Sequence, residues 1–273
     1  MSLSLAVSPA FPSALSPDLV VGRLRGAGCV FAEDEARLLF ATARTDRELA
    51  AMVRRRVAGL PLEHVLGWAE FCGRRIAVDA GVFVPRPRTA FLARTAVNLA
   101  AALDGPVVLD LCCGSGAVAA VLGAEVADAE VHAADVESAA VRCARRNVAA
   151  VGGCVYEGDL YAPLPAGLRG RVDVLVANAP YVPTDDIALL PSEAREYEPL
   201  VALDGGADGL DVQRRVTAGA ARWLAPGGSL LVETSERQAD RTAAVMVRGG
   251  LAARVATDEE LGATVVVGTY GTP

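Results

Sequence analysis

At the start of the chain, apolar residues recur every three or four positions, which is the period of an amphipathic helix. Three such helices are expected, at 18–27, 33–43 and 46–58. Three acidic residues, 33–35, crowd the first turn of the second helix, where the helix dipole favours negative charge. We therefore expect a small helical domain at this end of the chain.

The period of the pattern shortens after this helical part. Around Gly73 it predicts two short strands that form a β-hairpin. Pro85 and Pro87 then fix an extended segment, and a further helix is expected at about 89–103. The expected parts of the chain are a disordered leader at 1–17, a helical domain at 18–68, a hairpin linker at 69–87 and an α/β domain at 88–273.

In the α/β domain, short apolar runs alternate with helical segments, which predicts a doubly wound, Rossmann-like sheet. The seven candidate strands are 107–110, 130–135, 153–157, 172–177, 228–233, 251–256 and 263–268. The candidate helices lie near 115–126, 137–150, 209–224 and 236–248. Because 257–263 is too short for a crossover helix, the last strand should run antiparallel to its neighbour.

The first of these strands ends in a glycine turn that has the form of a nucleotide site. A dinucleotide fingerprint needs G-x-G-x-x-G, and only Gly114 and Gly116 are present here. Asp110 would repel a pyrophosphate, but it suits a cofactor that carries an ammonium and a sulfonium. Asp135 ends the next strand at a spacing suited to a ribose diol. The pattern favours S-adenosylmethionine over NAD, with a purely structural turn as the weaker alternative.

The fourth strand ends in the tetrapeptide Asn178-Ala-Pro-Tyr181, which would face the glycine turn across one crevice. The Asn178 side-chain oxygen and the Ala179 carbonyl, which Pro180 pushes outward, would accept both N–H groups of a planar amide. These contacts would stabilise the positive charge that develops on the nitrogen during methyl transfer. Tyr181 would stack on a planar amide or base. Taken alone, the tetrapeptide would be an ordinary strand-to-loop turn.

The amino-acid composition excludes several classes of reaction and of ligand. All 26 basic residues are arginine, which excludes Schiff-base chemistry and a P-loop lysine. His64 and His132 are the only histidines and the six cysteines contain no C-x-x-C, so no metal site is expected and the thiols indicate a cytoplasmic protein. Residues 95–273 carry thirteen arginines against twenty-four acidic residues, and this negative charge weighs against the binding of nucleic acid. No apolar run is long enough to cross a membrane.

The ordered set of motifs resembles the HemK/PrmC-type protein-(glutamine N5) methyltransferases over about residues 33 to 268. The motifs that carry the resemblance are Arg55–Gly67, Glu70-Phe, Val84-Pro-Arg-Pro, Asp110–Gly116, Asp135, Gly158-Asp-Leu160, Asn178–Tyr181, Glu198-Pro, Asp208-Gly-Leu-Asp211 and Pro226-Gly-Gly228. The resemblance implies a seven-stranded class I methyltransferase sheet. It also implies transfer of a methyl group from S-adenosylmethionine to the Gly-Gly-Gln glutamine of a peptide release factor.

The resemblance also assigns roles to individual residues. By match, the methionine end of the cofactor would lie against Cys112, Cys113, Gly114, Ser115 and Gly116, the ribose against Asp135, and the adenine beside Asp159 and Leu160. Further candidate contacts of the cofactor are Asp110, Val136 and Asn178. The substrate amide would be held by Asn178, Ala179, Pro180 and Tyr181. The helical residues 18–68 would help to seat the protein substrate.

Two departures from the family pattern keep other functions open. Ala179 stands where the family has proline, and Arg88 stands where it usually has an acid. The acceptor is therefore a release factor in the leading hypothesis, and another planar amine, on adenine or a small molecule, in the second. A binding module without catalysis is the third. A membrane partner is not expected, a nucleic acid is disfavoured, and the oligomeric state is left open.

Overall fold

The structure, a computed structural model, describes residues 15–271. Of the leader expected at 1–17, residues 1–14 lie outside the described residues. The chain divides into two compact units, of which the first ends at Leu66 and the second begins at Gly67. No helix within the described range is long and apolar enough to cross a membrane.

The first unit is helical. Its helices are α1 (Pro17–Gly26), α2 (Ala32–Thr42), α3 (Asp46–Val57) and α4 (Leu62–Leu66). The first three confirm the helices predicted from periodicity, and α4 was not predicted because its single turn shows no period. Side chains of Ser16 and Thr45 cap α1 and α3 by accepting hydrogen bonds from backbone N–H groups. Glu35 and Arg56 form a buried bidentate ion pair, with N–O distances of 2.6 and 3.0 Å.

The second unit contains the hairpin and the large sheet. The hairpin strands are β1 (Trp68–Phe71) and β2 (Arg74–Ala77). The sheet strands are β3 (Val107–Leu111), β4 (Glu130–Asp135), β5 (Cys154–Glu157), β6 (Val172–Ala177), β7 (Leu224–Thr234), β8 (Leu251–Asp258) and β9 (Ala263–Tyr270). The helices are α5 (Thr89–Ala100), α6 (Ala117–Glu125), α7 (Ser138–Val148), α8 (Ser192–Tyr197), α9 (Asp211–Ala220) and α10 (Ala239–Arg248). Short 3₁₀ turns lie at Ala149–Val151, Ala166–Leu168, Thr184–Leu189, Leu200–Ala202 and Glu236–Gln238.

The seven strands form one sheet in the order β5-β4-β3-β6-β7-β9-β8. β9 is antiparallel to both β7 and β8, and the other neighbouring strands pair in parallel. This confirms the predicted Rossmann-like sheet with an antiparallel last strand. The hairpin packs on α7, where Asn147 bonds to both the N–H and the carbonyl of Ala77 at 2.9 Å.

Both faces of the sheet are covered. On one face, Val108 packs with residues of α5, α6 and α7. On the other, Leu109 and Leu111 pack with residues of α9 and α10. A strand buried on both faces reads as a continuous apolar run, which is the reason that β3 was recognisable in the sequence.

The register of the central strands places the site. Leu111 of β3 lies opposite Ala134 of β4 and opposite Ala177 of β6. The chain turns outward after each of these positions at the carboxyl edge of the sheet. The glycine turn, Asp135 and Asn178 are therefore brought together about one strand spacing, ~5 Å, apart.

Gly116 sets the distance between α6 and α7. Its φ is +75°, and a Cβ added there would lie 2.9 Å from the Cβ of Ala144 on α7. Both the left-handed backbone and the close helix packing require the absence of a side chain.

We predict that Gly116→Ala lowers the free energy of unfolding by about 2–4 kcal/mol, because the new methyl adds backbone strain and overlaps α7. Urea unfolding of the full chain measures the change. Gly167→Ala is the control, since a Cβ at Gly167 meets no atom within 4 Å. Equal stabilities of the two variants would contradict the packing role.

Candidate active site

A cavity of about 450 Å³ opens at the carboxyl edge of β3, β4 and β6. It has the size of a small-molecule site. Of the residues assigned to the site from the sequence, those that line the cavity are Asp110, Cys112, Cys113, Gly114, Ser115, Asp135, Val136, Asp159, Leu160, Asn178, Ala179, Pro180 and Tyr181. Gly116 does not line it. Gly116 packs α6 on α7, and its assignment as a cofactor contact stays a prediction.

The turn after β3 has an unusual backbone. Cys112 has a φ of +56° and Gly114 one of +54°. A Cβ on Gly114 would meet no atom within 4 Å, so open space lies beside the turn. Leu160, on the adenine side by the family match, also has a positive φ of +46°. Residues other than glycine carry strain when φ lies in the left-handed region, and such strained residues are concentrated at ligand sites.

Asp135 organises the turn. Its Oδ2 accepts a hydrogen bond from the Gly114 N–H at 2.8 Å, and its Oδ1 accepts one from the Glu137 N–H at 2.9 Å. Each oxygen keeps a second lone pair, which suits a diol donor. Burial raises the pKa of Asp135, and the two backbone hydrogen bonds oppose that rise.

Asp110 is buried beneath the turn. Its Oδ2 accepts a hydrogen bond from the Ala119 N–H of α6 at 3.1 Å. Burial raises the pKa of Asp110 to about 7, the Ala119 hydrogen bond lowers it, and the charge of Asp135 raises it. Within residues 15–271 neither carboxylate has an arginine partner. Buried, unneutralised acids fit a cofactor that brings its own positive charge.

The thiols of the turn are not nucleophiles. Burial raises the pKa of both Cys112 and Cys113 far above its usual range, and the neighbouring acids raise it further. Both thiols are therefore protonated at neutral pH and pack as small apolar groups.

Asp159 forms an ion pair with Arg215 at the cavity wall. In the described part of the chain, no group of three metal-ligating side chains is found.

Asn178 and Tyr181 occupy the opposite wall. The Asn178 Nδ2 donates to the Thr89 hydroxyl at 3.3 Å. The Tyr181 hydroxyl accepts from the Arg88 guanidinium at 2.6 Å, and its carbonyl accepts from Gln238 at 3.0 Å. Burial raises the pKa of Tyr181 to about 12, so the phenol stays protonated. Ala179 is 1% exposed, between these two anchored residues.

The extended segment before α5 closes one side of the cavity. The buried carboxylate of Glu198 accepts hydrogen bonds from the Val84 N–H at 3.1 Å and from Arg86 at 2.6 Å. Arg88, the departure noted in the sequence, pairs with the buried Glu233 at 3.3 Å. The positive charge of Arg88, at a position where the family usually has an acid, is therefore balanced by Glu233 within the wall of the cavity.

Sequence reasoning missed Thr89 and Glu233. Glu233 interrupts the apolar run of β7 immediately before Thr234, and it is 2% exposed. A charge in a strand buried on both faces needs a partner, and that signal was readable from the sequence. Thr89 gave no signal, because threonine is common in the first turn of a helix.

Comparison with known proteins gives the relatives of the chain. A protein-family model described as the methyltransferase small domain matches residues 76–189. A release factor glutamine methyltransferase from Geobacter sulfurreducens is 38% identical over 81% of this chain and 78% of its own length. A 4-amino-L-phenylalanine/4-methylamino-L-phenylalanine methyltransferase from Streptomyces pristinaespiralis is 37% identical over 85% of this chain and 86% of its own length.

Among solved structures, the ribosomal protein L11 methylase from Lactobacillus delbrueckii subsp. bulgaricus superposes with a TM-score of 0.52 at 16% identity. The match covers 72% of this chain and 86% of that chain. At this identity the likeness shows the fold alone, and it agrees with the sheet described above.

We predict that the affinity for S-adenosylmethionine rises about five- to tenfold between pH 6 and 7.5. Asp110 has a folded pKa near 7, so it is largely protonated at pH 6 and largely ionised at pH 7.5, and only the ionised form attracts the ammonium and sulfonium. Calorimetry in buffers of different ionisation enthalpy should also detect release of a proton on binding. Asp110→Asn should flatten this dependence. A flat profile for the unmodified protein would contradict the electrostatic role of Asp110.

Proposed function

The chain belongs to the release factor glutamine methyltransferase family, and we propose that it methylates the side-chain amide nitrogen of a glutamine in a peptide release factor. The family makes it an S-adenosylmethionine-dependent N-methyltransferase. The choice of a glutamine as acceptor rests on the release factor glutamine methyltransferases to which the chain is similar, and the structural observation that agrees with it is that Asn178 and Ala179 line the cavity beside the turn after β3. The side-chain oxygen of Asn178 and the backbone carbonyl of Ala179 are the two hydrogen-bond acceptors that we assign to the amide NH₂ of the substrate.

The cofactor is S-adenosylmethionine, which supplies the electrophilic methyl group when it is bound. We assign its methionine end to Asp110 and to the turn at 112–115, whose backbone leaves open space beside Gly114. Asp135 holds the ribose through the free lone pairs of its carboxylate. Leu160 and Asp159 form the wall for the adenine, with Asp159 held by Arg215.

The acceptor residues act by position and by charge. An amide nitrogen is a weak nucleophile because its lone pair is delocalised. The Asn178 Oδ1 and the Ala179 carbonyl each accept one N–H of the substrate amide, which orients the nitrogen toward the methyl group. The same two oxygens stabilise the positive charge that the nitrogen gains in the transition state.

The site needs no strong base before transfer. The Tyr181 phenol, with a pKa near 12, is a donor or a stacking surface at neutral pH. Its ring lies below the Arg88 guanidinium, 5.8 Å from the ring centre, which fixes the ring against the wall. We assign Tyr181 to packing against the planar amide rather than to proton transfer.

Two parts of the proposal extend beyond the cavity. We assign residues 18–68, most of which form the helical unit, to recognition of the protein substrate, and we place the protein in the cytoplasm. All six cysteines are free, which supports a reducing compartment.

A second acceptor is favoured by Arg88. Its half-exposed guanidinium lines the cavity beside Tyr181, where it would bind the carboxylate of a free amino acid. A glutamine within a protein offers no such carboxylate. The relative from Streptomyces pristinaespiralis is named for an aromatic amine of a free amino acid. An arylamine acceptor is therefore the alternative.

We predict that Asn178→Ala lowers kcat by about 10²–10³, because one of the two acceptors that stabilise the charged nitrogen is removed. The affinity for S-adenosylmethionine, measured by calorimetry, should stay nearly unchanged. Asn98→Ala, on the exposed face of α5, is the matched control and should behave as the unmodified protein. Undiminished turnover of Asn178→Ala would exclude the amide clamp.

The acceptor itself is tested by mass spectrometry. The protein is incubated with S-adenosylmethionine and either a purified release factor or 4-amino-L-phenylalanine. We expect a mass increase of one methyl group on the Gly-Gly-Gln glutamine. Methylation of the free amino acid alone would transfer the assignment to the arylamine reaction, and Arg88→Ala should then raise KM for that acceptor.

A further inference from the structure

Two stretches of the chain that are far apart in sequence line the cavity next to the Asn178–Tyr181 tetrapeptide. One is the extended segment 83–88 before α5, and the other is the stretch 184–203 after the tetrapeptide, which we call the flap. The residues of the two stretches that matter most here are Phe83, Arg86, Leu190 and Val201, all of which line the cavity. The space that is open to a methyl acceptor therefore depends on how the two stretches are held together.

We propose that Glu198 is a positioning residue that joins the flap to the extended segment and so fixes the acceptor half of the cavity. This inference rests on the proposed function, in which the methyl acceptor lies against Asn178 and Ala179. Glu198 is not among the residues that line the cavity. It therefore acts through the two stretches that it connects, and not through contact with a reactant.

The carboxylate of Glu198 binds two groups of the extended segment. Its Oε1 accepts a hydrogen bond from the Val84 N–H at 3.1 Å, and its Oε2 accepts one from the Arg86 guanidinium at 2.6 Å. The Glu198 side chain is 1% exposed, so water competes little for these bonds. Hydrogen bonds to an ionised acceptor are stronger than neutral ones, and a buried carboxylate is stable only where it is paired in this way. Each oxygen of Glu198 thus has a donor on the other stretch.

The flap buries little apolar surface of its own. Its ends meet at a base, where the Val182 N–H donates to the Leu203 carbonyl at 3.1 Å. Of residues 184–203, all of which the structure describes, only Ala194, Glu198 and Leu203 are buried. Because Leu203 belongs to the base, the buried side chains beyond it are one methyl group and one carboxylate. A single alanine contributes little hydrophobic stabilisation, so the position of the flap depends strongly on the bonds of Glu198.

The extended segment is fixed independently of the flap. Pro85 and Pro87 restrict its backbone. Val84 is 3% exposed and belongs to an apolar cluster that includes residues of α7. The Arg86 guanidinium lies over the ring of Phe83, 5.0 Å from the ring centre. Loss of the Glu198 bonds should therefore release the flap and leave the segment in place.

Hydrogen exchange of the full chain, followed by mass spectrometry without any ligand, tests the joint. Glu198→Gln keeps the size of the side chain but removes the charge. We expect the amides of 184–203 to exchange about tenfold faster or more, the effect of losing one hydrogen bond to a charged group, while the turn at 112–115 is unchanged. Glu196→Gln is the matched control, because it makes the same change at an exposed glutamate of α8. Arg86→Leu removes the partner on the other stretch and gives the same readout if Glu198→Gln fails to fold.

Kinetics supplies the second readout. Glu198→Gln should raise KM for the methyl acceptor about five- to tenfold, because a mobile wall holds the acceptor less well, while kcat changes less than about twofold. The affinity for S-adenosylmethionine, measured by calorimetry, should also change less than about twofold. Glu196→Gln should match the unmodified protein in all three quantities. A residue that only stabilised the fold would not separate KM for the acceptor from the affinity for the cofactor.

The inference is overturned if exchange in the flap is the same in Glu198→Gln as in the unmodified protein, or if KM for the acceptor is unchanged. Equal losses of acceptor and cofactor binding would overturn it as well. The exchange measurement needs no acceptor, so it tests the joint even if the substrate differs from a release factor. Absence of release factor methylation by the unmodified protein, with a flap that is released in Glu198→Gln, would reject the acceptor and keep the joint.

Discussion

The parallel register of three strands is the constraint on which the rest of the structure depends. β3 pairs with β4 on one side and with β6 on the other, so residues far apart in sequence emerge together at the carboxyl edge of the sheet. The order of the strands reverses between β3 and β6, which opens a crevice there. The turn that we assign to the cofactor follows β3, and the tetrapeptide that we assign to the methyl acceptor follows β6. With these assignments, the register of the strands fixes the relative position of the two reactants before any side chain is considered.

The crevice places acids where their burial is unfavourable without a ligand. Asp110 and Asp135 are buried on the cofactor side without a cationic partner in the described chain, while Glu233 on the acceptor side is balanced by Arg88. In the function proposed here, the first pair gains its counter-charge from the cofactor, so binding and charge neutralisation are one event. Glu233 is already paired with Arg88, so its charge does not require a ligand for neutralisation. The two sides of the crevice differ because Arg88 lies beside Glu233, whereas no arginine pairs with Asp110 or Asp135 in the described chain.

Sequence patterns predicted the sheet because β3, β4 and β6 are buried on both faces and read as short apolar runs. They missed α4 and α8, since helices of five and six residues do not complete two periods. They placed the start of β7 late, at 228 rather than Leu224, because Pro226 and two glycines masked an irregular strand whose pairing with β6 shifts near Val172. Many of the residues that line the cavity were found through motifs. Thr89 was not, because it depends on a contact with Asn178, which lies far along the chain. Such contacts have no local pattern.

The central claim is that the crevice holds a glutamine amide against Asn178 and Ala179. A crystal structure of the protein with S-adenosylhomocysteine and a peptide containing Gly-Gly-Gln tests it most directly. The account predicts the glutamine side-chain nitrogen within about 3 Å of both the Asn178 Oδ1 and the Ala179 carbonyl oxygen. A glutamine bound outside this crevice, or one whose amide oxygen faces Asn178, would contradict it.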